Sequence, residues 1–363
     1  MSLRVAVVGL GWAARTIWLP RLAAHPALTV TAVVDPSPAA RAAVADGAAG
    51  VRVLADPGEL SPELADLAIV AVPNHAHSSV AGALLRRGIP VFLEKPVCLS
   101  HTEADELARA EREGGAVLVA GSAARCRADV LALRRLVESV GDVRHLRLAW
   151  VRANGVPGTD WFTRRSQAGG GVLLDLGWHL LDTAQFLLGP LEFDQVVAAT
   201  THDFVNRRAA RAVWREDEPD AARPEAADVE DTARAFLVAD SGVSVSMRTS
   251  WASHAAHDRT TVEVHGSAGT AALGCTFGFS PNRLGGSSLT FTQDGRVTPV
   301  ALDEEPVGAE YDRQVDALAG LLADPAQRGK AVAAARRTID VIERIYESAA
   351  RAAGARKPEE VPA

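Results

Sequence analysis

The feature that most narrows the fold lies at the start of the chain, where Leu3-Arg4-Val5-Ala6-Val7-Val8 leads straight into Gly9-Leu10-Gly11-Trp12-Ala13-Ala14. A short run rich in β-branched residues and closed by glycines reads as a buried parallel strand ending in a tight turn. Helical spacing follows over 12–24, a second strand over 29–34 and a second helix over 37–46. Strands at 67–72, 89–93 and 116–120 then alternate with helices at 75–88 and 102–114. Such unbroken alternation predicts a doubly wound parallel sheet with helices on both faces, over residues 1–122.

Beyond this point the pattern changes. A helix near 128–140, a strand at 143–152 and a helix at 172–188 precede long alternating runs at 193–201, 229–239, 242–251, 259–266, 288–293 and 296–301. These predict a second α/β domain over 123–363 with a large, mostly antiparallel sheet, one face of it solvated or covered by a partner. The Ala- and Arg-rich stretch 326–353 has helical spacing and is expected to pack back on the body. A length of 363 residues, 48% hydrophobic, supplies enough apolar surface for two cores. A net charge of −7 argues against general binding to nucleic acid or an anionic membrane, which needs a basic face. No apolar stretch approaches the roughly 18 residues of a membrane span. The first residues lack the pattern of a signal peptide, so a cytoplasmic location is expected. Cys98, Cys126 and Cys275 are far apart and form no metal-binding or redox pattern, which suits buried thiols in a reducing compartment and predicts no metal.

The glycine turn carries the first functional signal. Gly9 permits the tight turn, Gly11 lets the backbone approach a pyrophosphate, and Ala14 allows close helix–strand packing. Amides at the start of the following helix then face the phosphates. The second strand ends at Asp35, about 20 residues on, where an acid receives ribose hydroxyls. This combination predicts a Rossmann domain. A carboxylate at 35 accepts the 2′-hydroxyl of NAD and repels the 2′-phosphate of NADP, so NAD is the expected cofactor. Arg41, one turn into the next helix, is the residue that would favour NADP instead.

Two further motifs bear on the chemistry. Glu94-Lys95-Pro96 follows the strand 89–93, at the edge where open α/β sheets bind ligands. Gly169-Gly170-Gly171 leads into a helical stretch on which Asp175, His179 and Asp182 fall at i, i+4 and i+7, on one face. A carboxylate one turn from an imidazole can orient it for proton transfer near neutral pH. Asp182 is the weaker member of the set. Trp12 is either core packing or a wall of the nicotinamide or substrate pocket.

With Pro73-Asn74, His77 and Trp161, these motifs resemble the Gfo/Idh/MocA family, which includes glucose–fructose oxidoreductase and inositol dehydrogenase. The resemblance covers nearly the whole chain and implies a Rossmann domain followed by an α/β domain. It implies hydride transfer between nicotinamide and a secondary alcohol or ketone of a sugar, cyclitol or amino sugar. Lys95 would hydrogen-bond the reacting hydroxyl, and His179, held by Asp175, would be the general base. Pro73, Asn74, His77 and Glu94 would line the nicotinamide and its ribose; Trp12, Arg125 and Trp161 would border the substrate. A homodimer or homotetramer is expected on the same ground. The chain departs from the family at Cys126, where relatives carry an aromatic after the arginine matched by Arg125, and this puts the substrate in doubt.

Residues 216–231 carry Glu216, Asp217, Glu218, Asp220, Glu225, Asp228, Glu230 and Asp231, with Pro219 and Pro224 among them; Arg207, Arg208, Arg211 and Arg215 lie just upstream. The segment reads as a solvated loop insertion, or else as a subunit contact or an acidic rim favouring a cationic substrate such as an aminoglycoside. Two other functions stay open beside the dehydrogenase: a glycoside hydrolase or lyase that retains NAD, and a non-catalytic dinucleotide-binding regulator.

Overall fold

The computed structural model describes residues 2–45, 50–212 and 226–354, and it divides into two compact units. Unit 1 comprises residues up to Arg127 together with Ser166–Gly169 and Glu305–Ile339; unit 2 is the remainder.

Unit 1 contains β1 (Leu3–Val8), α1 (Leu19–Ala24), β2 (Leu28–Val34), α2 (Pro38–Ala45), β3 (Arg52–Leu54), β4 (Leu67–Val70), α3 (His77–Arg86), β5 (Val91–Leu93), α4 (His101–Gly114) and β6 (Leu118–Ala120). The six strands are parallel in the order β3-β2-β1-β4-β5-β6. The order reverses between β1 and β4, so the carboxyl ends of β1, β2 and β4 surround a topological switch point. Val5 to Val8 and Leu67 to Val70 are buried without alternation, as strands covered on both faces must be. Each valine, leucine or isoleucine among them contributes about 1.5–3 kcal/mol on burial, which outweighs local propensity and fixes these central strands. The strand β3 was not expected from the sequence: it has three residues, two of them exposed, and gives no apolar pattern.

The remaining elements are α5 (Ala128–Val137), β7 (Val143–Val151), the single turn α6 (Arg165–Ala168), α7 (Trp178–Leu188), β8 (Phe193–Thr201), β9 (Thr232–Ala239), β10 (Ser244–Ser250), β11 (Arg259–Gly266), β12 (Thr270–Cys275), β13 (Ser288–Gln293), β14 (Arg296–Val300), α8 (Ala309–Ala323) and α9 (Lys330–Gly354). In unit 2 the eight strands run β14-β13-β12-β11-β7-β10-β9-β8, antiparallel except where β7 pairs with β10. Burial alternates along β9 and β10. Leu237, Val245 and Met247 point inward, while Arg234, Phe236 and Arg248 stand on the open face. Helices α5 and α7 lie against the covered face. The strand β12 was also missed, because Thr-Ala-Ala-Leu-Gly-Cys has only one β-branched residue.

The acidic segment needs a correction. Residues 213–225, and with them Glu216, Asp217, Glu218, Asp220 and Glu225, lie outside the described residues. At its far end the solvated reading fails, because Glu230 and Asp231 are buried. Asp231 accepts hydrogen bonds from the amides of Phe204 and Val205 and from Thr232 Oγ1. Two carboxylates are thereby lost to any acidic rim.

Candidate active site

In unit 1 the site grows from the carboxyl ends of the strands. Gly9 has φ +87°, and a Cβ there would lie 2.6 Å from the carbonyl oxygen of Ala71, so no other residue fits. At Gly11 an added Cβ meets nothing within 4 Å; protein packing does not demand this glycine, and the ground above the turn is open. Ala14 is fully buried, as close packing on the sheet requires. The helix over 12–24 contains a π turn at Ala14–Trp18, which the sequence reading of a regular helix did not include.

Asp35 stands just past β2. Its Oδ2 accepts the amide of Leu10 at 2.8 Å and its Oδ1 accepts that of Ser37 at 2.8 Å. A carboxylate has about four lone-pair positions, so two remain for a ribose diol. Arg41 donates to the carbonyls of Asp35 at 2.7 Å and Pro36 at 3.0 Å, which ties its guanidinium to the main chain.

After β4, Asn74 is buried and its Nδ2 donates to the carbonyl of Ala168 at 2.9 Å. His77 is buried with Nδ1 2.6 Å from the carbonyl of Pro96 and Nε2 2.9 Å from that of Val72. Burial pushes its pKa down to about 4, helped by the charge of Lys95 and opposed by the two carbonyls. The ring ties together the main chain at 72 and 96, next to Pro73 and Lys95.

Glu94 and Lys95 follow β5, and the Lys95–Pro96 peptide is cis. The Glu94 carboxylate accepts Trp18 Nε1 at 3.0 Å and the amide of Lys95 at 3.2 Å. Trp18 is fully buried, edge-on to Phe92 at 4.7 Å and to Tyr311 at 5.8 Å. It is therefore Trp18 that fixes Glu94, a residue the sequence reading passed over in favour of the half-buried Trp12. The stripe Ala14, Ile17, Trp18, at i, i+3 and i+4, was the signal available. Arg125 is half-exposed on the turn Ala123–Cys126, whose last carbonyl accepts Arg313 Nε.

Unit 2 holds the other set. Asp175 lies in a π turn, Leu173–Gly177, that runs into α7. The expected regular α-helix is thus corrected to a wider first turn, closed by the amide of Trp178 on the carbonyl of Leu173. Asp175 is buried, and its Oδ2 accepts Trp251 Nε1 at 2.9 Å. Trp251 is fully buried with Phe162 edge-on at 6.2 Å, and Phe162 in turn meets Trp161 at 4.5 Å. Trp161 thus joins Asp175 through two intervening rings. His179 is half-buried beside Trp150, ring centres 5.5 Å apart, and the Arg152 guanidinium lies 5.1 Å over the Trp150 ring. Asp182 is buried further along α7. Trp150, on β7, and Trp251, just past β10, have no signal in sequence because only the fold brings them to His179 and Asp175.

Among the described residues, no group of three or more His, Cys, Asp or Glu is placed to hold a metal ion. Cys98 and Cys275 are buried and Cys126 is half-buried. No helix of the described residues is long and apolar enough to cross a membrane.

Residues 3–122 match the oxidoreductase family with an NAD-binding Rossmann fold, and residues 130–272 match the GFO/IDH/MocA C-terminal domain. The chain belongs to the Gfo/Idh/MocA oxidoreductase family. It is 57% identical over 355 residues, 98% of each chain, to a protein of Amycolatopsis mediterranei (strain S699) described as the oxidoreductase subunit of a UDP-kanosamine synthase. It is 31% identical over 205 residues to the D-glucoside 3-dehydrogenase of Escherichia coli (strain K12), 56% of this chain and 58% of that one. Among solved structures it is similar to GenD2 from gentamicin A biosynthesis in complex with NAD, with TM-score 0.74, 25% identity, and coverage of 97% of this chain and 95% of that chain.

As a Gfo/Idh/MocA oxidoreductase, the chain has a Rossmann unit suited to a dinucleotide: an open cradle over Gly11 and a carboxylate at Asp35 with acceptor capacity left. Its other unit has an imidazole one turn from a buried, indole-held carboxylate.

Proposed function

We propose that the chain oxidises the C3 hydroxyl of a nucleotide-linked glucose, UDP-glucose in the first instance, with NAD as hydride acceptor. The observation that carries this reading is the 57% identity over 98% of both chains with the UDP-kanosamine synthase subunit. Kanosamine is a 3-amino-3-deoxyglucose, and replacing a hydroxyl by an amine at C3 first requires a ketone there. The reaction removes a hydride from C3 and a proton from its oxygen; bound NAD supplies the hydride acceptor at nicotinamide C4. Lys95 donates a hydrogen bond to the reacting oxygen and stabilises its developing charge. His179 takes the proton, with Asp175 orienting its ring and Trp251 holding Asp175. Pro73, Asn74 and Glu94 border the nicotinamide end, and Trp12, Arg125 and Trp161 the sugar.

UDP-glucose should reduce NAD at least about tenfold more efficiently in kcat/KM than free glucose, because contacts to the remote diphosphate part of a substrate are used at the reacting carbon. Equal rates would point to a simple sugar as substrate. Turnover of a glycoside without added NAD would favour the cofactor-retaining hydrolase.

The choice of NAD rests on Asp35. Asp35→Ala should raise the NAD dissociation constant by roughly tenfold, the loss of one or two hydrogen bonds to a charged acceptor, and narrow the gap to NADP. A parent protein that already binds NADP more tightly, by calorimetry, overturns the assignment. The homodimer or homotetramer and the cytoplasmic location belong to the same proposal. For subunit contact the open face of the eight-stranded sheet is favoured, since Val197 and Phe236 stand 69% and 48% exposed on its strands.

A further inference from the structure

The amides that open a helix have no acceptor within it and must find one elsewhere. For the helical segment carrying Asp175 and His179, the acceptor is a single residue from a distant part of the chain. Glu230, two residues before β9, is 6% exposed. Its Oε2 lies 3.1 Å from the amide of Gly171, its Oε1 lies 3.0 Å from the amide of Leu173, and its main-chain oxygen accepts the amide of Val172 at 3.0 Å. From α9, Tyr346 Oη donates to Oε1 at 2.8 Å.

The glycines are matched to this arrangement. A Cβ on Gly170 would lie 2.1 Å from Tyr346 Oη, and one on Gly171 would lie 2.0 Å from the carbonyl oxygen of Glu230. The run 170–171 is thus explained by the Glu230 main chain and the Tyr346 hydroxyl packed on it. The next residue, Asp231, accepts through its main-chain oxygen the amide of Trp251, whose indole holds Asp175.

We propose that Glu230 is a positioning residue for proton transfer, fixing the amino end of the segment that presents Asp175 and His179. It is buried and acts through that segment. This inference rests on the reading of Asp175 and His179 as the proton-transfer pair. The groups facing the Glu230 carboxylate are the amides of 171 and 173, Tyr346 from α9 and the Arg165 guanidinium, 3.7 Å away and stacked on the Tyr346 ring. Burial raises the carboxyl above its ordinary range, while these hydrogen bonds pull it back. Burial and Glu230 together push Tyr346 well above its usual value, so its hydroxyl remains a donor.

Glu230→Gln keeps the size but turns an amide N–H₂ toward groups that are themselves donors. With UDP-glucose and NAD, it should lower kcat by roughly tenfold or more while KM for the sugar and the NAD dissociation constant stay within about twofold, since small misplacement of a catalytic group is costly. Tyr346→Phe removes one donor and leaves the cap; its kcat should fall about two- to fivefold. It decides the question if the first variant does not fold. A readout free of substrate is the NMR titration of the His179 ring, whose midpoint should move in both variants. Folded variants with parental kcat and an unmoved His179 titration overturn the inference, as does a change in KM alone. His179→Ala separates the two levels. If it is inactive while Glu230→Gln is normal, only the role of Glu230 falls; if it retains full turnover, the proton-transfer reading falls and takes this one with it.

Discussion

Lys95→Ala should lower kcat by about 10²–10⁴-fold while leaving the NAD dissociation constant within roughly threefold of the parent. The split follows from where the groups sit. The expected grip on the dinucleotide comes from the Gly9–Gly11 turn and from Asp35, both at the ends of β1 and β2. Lys95 follows β5, with its amide held by the Glu94 carboxylate, which Trp18 anchors. Removing the side chain beyond Cβ leaves these main-chain contacts in place and deletes the ammonium together with its methylene stem. An oxygen that becomes a ketone passes through a transition state of increased negative charge, and a donor aimed at it acts there more than in the ground state. Lys95→Arg should not restore the rate, because a planar guanidinium cannot replace a compact point charge. Stopped-flow turnover and calorimetry read both halves of the prediction. Parallel loss of NAD affinity would mean that Lys95 builds the turn instead of acting on substrate.

The second large effect is expected at His179. His179→Ala should cost about 10²–10⁴-fold in kcat and abolish the acid limb of the pH profile of kcat/KM, since the group that must lose its proton before it can act as a base is gone. Asp175→Asn is the informative companion. Its amide oxygen can still accept the Trp251 indole, so the packing of Trp251 and Phe162 should persist while the charge beside the imidazole is lost. A rate loss of roughly tenfold or more with an unchanged melting temperature is the expected outcome, in line with other orienting carboxylates. Full activity in His179→Ala would remove the general base from the account.

Much of this was legible in the sequence because the deciding signals are local. Unbroken valine-rich runs such as Val5 to Val8 mark strands buried on both faces, and the glycines after them mark the turn. The requirement at Gly9 is visible in sequence as a type and in structure as a clash with Ala71. Glu94-Lys95-Pro96 and Asp175…His179 were likewise readable as short strings. What failed depends on distant neighbours. The strands β3 and β12 are held by pairing with β2 and β11 rather than by any apolar pattern of their own. The two π turns, Ala14–Trp18 and Leu173–Gly177, lie within segments whose spacing reads as regular helix. Glu230 and Asp231 looked like the end of a solvated acidic run because a charge string carries no sign of its partners. Those partners are the amides of Gly171 and Leu173 and the Tyr346 hydroxyl, which only the fold brings to Glu230. Trp18 was missed because its partner, Glu94, lies 76 residues on, just past β5.

The central claim is hydride transfer from sugar carbon to dinucleotide, and UDP-glucose deuterated at C3 tests it most directly. Incubated with the enzyme and NAD, it should yield reduced dinucleotide carrying deuterium at nicotinamide C4, one equivalent for each C3 ketone formed. A product without net NAD reduction, or reduced dinucleotide without the label, would contradict the account: the first would point to transient oxidation by a retained cofactor, the second to chemistry at another carbon.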